Sequence, residues 1–195
     1  MKTRISLLTI ALTILALNVT AQNNQDRWAF ELSTGASYAT TELGDANLKA
    51  GPAIEGTFYY RFLEHTSIYL GWGWKKFGSN QSFAGNNMDF IETGYTYGLQ
   101  FKHPLAGTRL HYVVRAGGIY NHVEIENNAG DIVSDTGHGF GWQAAGGFEV
   151  PLGRSWTLIP TLKYSSLSRD FESGTDRFSS DLNYLSTQIG FSKTF

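Results

Sequence analysis

The sequence predicts an all-β fold, an eight-stranded antiparallel up-and-down transmembrane β-barrel. Three observations predict it: apolar and polar residues alternate with a period of two, the connections alternate between short and long, and the composition favours sheet. Aromatics make up 14% of the chain, with 22 glycines against only four prolines. Beyond the first segment, no apolar run is long enough to cross a membrane as a helix.

Residues 28–38 set Trp28, Phe30, Leu32, Ala36 and Tyr38 against Ala29, Glu31, Ser33, Gly35 and Ser37. Segment 52–62 sets Ile54, Phe58, Tyr60 and Phe62 against Glu55, Thr57, Tyr59 and Arg61. Ile68 to Lys75 shows Leu70, Trp72 and Trp74 on one face and Tyr69, Gly71, Gly73 and Lys75 on the other. Ile91 to Lys102 opposes Tyr95, Tyr97, Leu99 and Phe101 to Glu92, Gly94, Gln100 and Lys102. Leu110 to Asn121 opposes Tyr112, Val114 and Tyr120 to His111, Arg115 and Gly117, with Val113 and Ile119 breaking the polar side. Phe140, Trp142 and Phe148 oppose Gly141, Gln143 and Glu149. Trp156, Leu158, Leu162 and Tyr164 oppose Thr157, Thr161, Lys163 and Ser165. Leu185, Ile189, Phe191 and Phe195 oppose Ser186, Gln188, Gly190 and Ser192, with Lys193 alone on the apolar side. Each run suits the roughly 9–11 residues of a tilted membrane strand. Pro160 sits in mid-strand without a donor for the ladder, so a bulge is expected near Ile159–Thr161.

Short turns are expected near 63–66, 103–108 and 151–155, and long polar loops near 39–50, 77–88, 122–138 and 168–181. An even strand count puts both chain ends and every short turn at one end of the barrel, and all four long loops at the other. The two faces choose the solvent. The polar face is mostly small, as a narrow eight-strand interior requires. The apolar face carries Trp28, Phe62, Phe101, Tyr112 and Trp156 toward the short turns, and Tyr38, Trp72, Trp74, Tyr120, Trp142 and Tyr164 toward the loops. Two aromatic girdles around an apolar band imply lipid outside. A soluble carrier barrel would turn its apolar face inward.

Residues 1–21 have the parts of a cleaved signal peptide: Lys2 and Arg4, the apolar run Ile5 to Leu17, and Val19-Thr20-Ala21 before a cut. The apolar run rises only about 20 Å as a helix, short of the roughly 30 Å hydrocarbon core. Residues 22–195 are then the barrel domain. Losing the leader takes the formal charge from −2 to −4, which gives no reason to expect nucleic acid. The chain has no cysteine, which excludes disulfides, a thiol nucleophile and a lipoprotein anchor.

The interior set holds Glu31, Glu55, Glu92 and Glu149 with Arg61, Lys75, Lys102, Arg115 and Lys163. Buried charge is costly unless paired. The near balance therefore predicts a network of ion pairs that plugs the lumen, with Arg115 as its hub. A narrow polar pore for ions or small solutes is the alternative.

The signal peptide, the alternating loops, the hairpin Ala144-Ala-Gly-Gly-Phe-Glu-Val-Pro-Leu-Gly-Arg-Ser-Trp-Thr-Leu158 and the ending Gly190-Phe-Ser-Lys-Thr-Phe195 resemble one family. It is the small bacterial outer-membrane β-barrel family typified by outer membrane proteins A and X and the opacity adhesins. The resemblance covers residues 26–195 and implies a Gram-negative outer-membrane location, a monomer, and contact with lipid and lipopolysaccharide. It also implies that Phe191 and Phe195 are similar to the terminal aromatic signal read by the barrel-assembly machinery. Members differ mainly in their loops. The expected role is structural and adhesin-like, with the external loops, including Phe83 and Phe171, meeting a host or surface ligand.

Lipid A-modifying enzymes share the scaffold, and Lys163 to Glu172 offers serines, yet no histidine lies within it. The histidines are scattered at 65, 103, 111, 122 and 138, so no enzyme is expected. The third loop holds His122, Glu124, Glu126, Asp131, Asp135 and His138 at spacings that match no fixed metal motif. A solvated polar loop is expected there, and neither a metal nor a cofactor.

Overall fold

A computed structural model describes residues 26–173 and 176–195, with the side chains of 172–178 left out of account. The expected leader and its cut after Ala21 lie outside the described residues. The strands are β1 (Trp28–Ala39), β2 (Gly51–Arg61), β3 (Thr66–Ser82), β4 (Gly85–Pro104), β5 (His111–Glu126), β6 (Ile132–Asp135), β7 (Gly139–Gly153), β8 (Trp156–Ser173) and β9 (Asp176–Thr194). Consecutive strands pair antiparallel except β6 and β7, both of which pair with β5, and β1 pairs with β9. The sheet therefore closes into a ring of eight, with β6 as a short outward continuation of the line of β7. At the seam, the Phe195 amide donates to the Trp28 carbonyl at 2.9 Å and the Trp28 amide to the Phe195 carbonyl at 3.2 Å.

The outer face of the ring is apolar and uncovered: Leu32, Phe58, Leu70, Leu99, Leu162 and Phe191 are all exposed, Leu70 at 61%. An apolar belt of that extent on a closed barrel is stable only where the outer solvent is hydrocarbon. Aromatic pairs sit on it toward both ends, with Trp28 against Tyr60 at 4.7 Å between ring centroids and Trp142 against Tyr164 at 5.4 Å. Lys193, the exception on the last strand, places its ammonium 5.5 Å from the centre of the Trp156 ring and donates to the Arg154 carbonyl at 2.9 Å. The charge thus leaves the apolar belt for the interface, as a long lysine stem allows.

Two expectations need correction. Segments 77–88, 122–138 and 168–181 are not polar loops. The strands run on through most of them as projecting hairpins, and β3 meets β4 across the two-residue turn Phe83-Ala84. Among the described residues, only 40–50 remains a long irregular loop. Nor does Pro160 mark a bulge. The β7–β8 register is the same on both sides of it, Gly147↔Thr161 and Val150↔Leu158, and β9 pairs straight through it at Ile189. The missing donor simply leaves the ladder to β7 open opposite Phe148 and Glu149. Gly147 makes the close passage workable, since a Cβ there would lie 2.3 Å from the Pro160 carbonyl oxygen. The irregularity lies further along, between Pro151 and Gly153, beside a tight turn in which Arg154 and Ser155 both take positive φ.

Candidate functional site

The interior is the densest collection of chemistry in the molecule, and it divides into tiers. Nearest the short turns, Lys102 pairs with Glu149 at 3.0 Å, and this pair is partly open. Above it the Arg115 guanidinium donates from Nη2 to Glu31 Oε2 at 2.7 Å, from Nη1 to Glu31 Oε1 at 3.3 Å, and from Nε to Gln100 Oε1 at 2.9 Å. Two bonds to one carboxylate make this a fork-to-fork pair, the strongest geometry available to arginine. Tyr59 donates its hydroxyl to Glu31 at 2.9 Å, and its ring lies under the Arg115 guanidinium carbon at 5.1 Å. The third tier is Lys163 on Glu55, which also accepts from the Thr57 hydroxyl at 3.4 Å.

In the fourth tier Lys75 donates to Glu92 Oε1 at 3.2 Å, and the same oxygen accepts from Tyr184 Oη at 2.9 Å and from Asn121 Nδ2. Arg169 closes this tier, donating to the Asn121 amide oxygen and to the carbonyls of Asn121 at 3.0 Å, Gly139 at 2.6 Å and Phe140 at 3.0 Å. The charges thus form four one-to-one pairs stacked along the axis. They do not radiate from Arg115, which holds Glu31 alone among the four acids. The reason is geometric: acids and bases enter from different strands at different heights, so Glu31 and Glu55 meet bases across the ring while Glu92 meets Lys75 directly opposite it on the neighbouring strand. Arg61 stays at the rim near the short turns, where Nη2 donates to the Asp26 carbonyl at 3.1 Å.

Sequence reasoning missed Arg169, which it left in a loop, and Tyr184; it placed Tyr59, Tyr69, Gln100, Asn121 and Gln143 on the polar face but did not name them as partners of the charges. The available signal was glycine. A Cβ at Gly117 would come within 2.7 Å of the Tyr69 hydroxyl, so small residues on one wall mark where a large polar ring crosses from the other.

The free space follows the tiers. A vestibule of about 460 Å³ opens among Trp28, Arg61, Lys102, Glu149 and Thr194. Higher up, among Glu55, Tyr59, Tyr69, Arg115 and Lys163, a cavity of about 10 Å³ remains, room for roughly one water.

Above the charges lies a different region. Leu43, Ala46 and Leu48 of the 40–50 loop are buried against Phe77, Phe90, Val123, Ile125, Leu167, Phe171 and Leu182, and this apolar cluster fills the barrel's outer mouth. The loop is fastened across it: the Lys49 amide donates to the Gly78 carbonyl at 2.8 Å and the Gly44 amide to the Ser180 hydroxyl at 2.8 Å. Phe83 folds down from the β3–β4 tip onto Phe171, 5.5 Å between centroids. Phe171, expected as an outward contact point, is therefore fully buried, and Phe83 is half-covered.

The serines of 163–172 face opposite sides of the wall. Ser165 points into the lumen, and Ser168 shares a hydrogen bond with Ser179 at 3.2 Å. In the third hairpin, His122, Glu124 and Asp135 come together on the outer surface.

A family model described as the outer membrane protein beta-barrel domain matches residues 8–195. Among solved structures, neisserial surface protein A has a similar fold, with a TM-score of 0.62 at 11% identity over 86% of this chain and 97% of that one. OprG of Pseudomonas aeruginosa has a TM-score of 0.57 at 15% identity over 87% and 97% of the two chains. Outer membrane protein W of E. coli has a TM-score of 0.55 at 14% identity over 88% and 100%. At these identities the likeness concerns the fold. No curated protein matches the sequence. With a closed ring, an apolar outer belt and the family model spanning nearly the whole chain, the protein belongs to the outer membrane protein beta-barrel domain family and resides in the bacterial outer membrane.

Proposed function

We propose that the protein is a closed structural and surface-interaction barrel, monomeric in the membrane, whose projecting hairpins meet lipopolysaccharide or a surface ligand. One observation carries this reading. The lumen is obstructed twice in series, by buried ion pairs and then by an apolar cluster across the outer mouth. A solute path would have to break paired charges in a low-dielectric interior and then part a packed apolar layer, and nothing inside the barrel would repay either cost. The narrow-pore alternative draws on the vestibule, yet the cavity higher up among Glu55, Tyr59 and Arg115 measures only about 10 Å³. Refolded protein in a planar bilayer is expected to show no stable unitary conductance. Reproducible single-channel steps would overturn the closed reading in favour of the pore.

The same proposal includes export with loss of residues 1–21 and recognition of Phe191 and Phe195 during assembly. Both side chains lie on the exposed outer face of the last strand, where a membrane-bound factor can reach them. Deleting Phe195 is expected to lower the amount of folded protein in outer-membrane fractions several-fold. Unchanged insertion would remove the assignment.

A further inference from the structure

The geometry points to a divalent transition-metal site on the outer surface of the β5–β6 hairpin, formed by His122, Glu124 and Asp135. His122 and Glu124 are two apart on β5 and so share its outward face. Asp135 is the cross-strand partner of Glu124 on β6, which puts it on that face too. One ligand atom from each of the three lies within 4.8 Å of those of the other two. A tetrahedral ion with bonds of about 2.0 Å needs its ligands about 3.3 Å apart, so side-chain rotation alone would complete the contact.

The backbone is arranged to make this cluster. Along β5, β7 pairs with register Asn121↔Gly139 and β6 with Glu124↔Asp135, one residue out of step. The extra residue falls in Thr136–His138, where Gly137 takes a φ of 66°. It reverses the alternation, so that Asp135 and His138 both face outward although they are three apart. Inserted residues of this kind re-aim side chains. The break is pinned by the Val123 amide donating to the Thr136 hydroxyl at 2.9 Å and by the Thr136 amide donating to the Val123 carbonyl at 3.1 Å.

Two of the three candidate ligands, Asp135 and His122, are also held by groups outside the set, as metal-binding side chains usually are. Asp135 Oδ1 accepts the Gly137 amide at 2.9 Å and lies 3.0 Å from His122 Nδ1. The His138 ring stacks on His122 at 4.5 Å and 13°, and the Tyr120 ring lies tilted against His138 at 5.1 Å. The imidazole is thus fixed with one nitrogen toward a carboxylate, and a cation would replace the proton those two atoms share. One nitrogen with two carboxylates suits Zn²⁺ with water in the fourth position. It supplies too few oxygens for Ca²⁺, which takes six to eight. The site stands clear of the lumen, so it holds whether or not the barrel conducts.

The test is calorimetric titration of the refolded, full barrel in detergent micelles with ZnCl₂ and, in parallel, CaCl₂. Saturable one-to-one Zn²⁺ binding is expected, with no heat from Ca²⁺. His122→Gln and Asp135→Asn should each weaken Zn²⁺ binding roughly tenfold or more. The control removes the other close histidine pair, His65 and His103, whose rings are 4.8 Å apart at the opposite end. The His65→Gln/His103→Gln variant should bind as the parent does. If either hairpin variant fails to give the heat-modifiable gel shift of a folded barrel, Glu124→Gln is read in its place. Absence of saturable Zn²⁺ heat, binding that survives the hairpin substitutions, or binding lost with His65 and His103 would each overturn the assignment.

Discussion

Near the outer aromatic band β3 turns Trp72 and Trp74 outward and Gly73 and Lys75 inward, yet at the next step of the pleat Lys76 is outside and Phe77 is buried inside. The other long strands reverse in the same way. Tyr97 and Tyr95 face out on β4 with Thr96 inside, while further along Asp89 faces out and Phe90 in. On β8, Leu162 and Tyr164 face out with Lys163 inside, and then Ser168 and Asp170 face out with Phe171 inside. No strand ends at the reversal. What changes is the outer solvent: in the membrane the apolar side must face out and the charges pair inside, and above it water takes the outside and the apolar side moves in. The molecule is one barrel with two cores of opposite character.

The polar core should be the more brittle of the two. Glu92→Leu leaves Lys75 buried without its carboxylate and strips Asn121 and Tyr184 of their acceptor, a loss expected at about 3–5 kcal/mol. Urea unfolding in micelles measures it, and Lys75→Met added to Glu92→Leu should restore most of the loss. A variant as stable as the parent would mean that water already compensates these charges. The apolar core should yield more gently. Leu43→Ala truncates a fully buried side chain, but its loop can settle into the gap, so about 2 kcal/mol is expected by the same measurement, with the bilayer still silent. Conductance appearing in Leu43→Ala would show that the apolar layer alone keeps the barrel closed. The smallest effect belongs to the rim: Lys102→Met, at a pair open to solvent, should change stability by less than about 1 kcal/mol.

The reversal also explains what was legible in the sequence. Period-two alternation located all eight barrel strands and their faces, because within the membrane each strand keeps one phase. At Lys75-Lys76-Phe77 the phase breaks, and a break in phase reads as the end of a strand. The outer halves of β3, β4, β5, β8 and β9 therefore looked like polar loops, and Phe77, Phe90, Val123 and Leu167 had no visible place inside. The charged interior was legible as a set, since its acids and bases fall on one face. Its pairing was not, because that depends on height around the ring, which strand stagger fixes and local sequence does not. His122, Glu124 and Asp135 were visible only as members of a six-residue polar set; that these three share one face depends on the one-residue slip at Thr136–His138, which sets the face of Asp135.

The seam between β1 and β9 bears on the order of events during assembly. Glu31 and Arg115 are 84 residues apart, Glu55 and Lys163 are 108 apart, and Glu92 and Tyr184 are 92 apart, so these bonds cross the barrel's interior. A growing sheet that has not yet met its own first strand is an open trough. Its charged face can still be wetted while its apolar face already lies against lipid. Full desolvation of the pairs that span the ring, Glu31 with Arg115 and Glu55 with Lys163, then requires closure, whereas Lys75 and Glu92 already face each other across the β3–β4 ladder. The β1–β9 seam thus does more than complete a ladder: without it, the pairs Glu31–Arg115 and Glu55–Lys163 would stand at an open edge of the sheet instead of inside a closed wall.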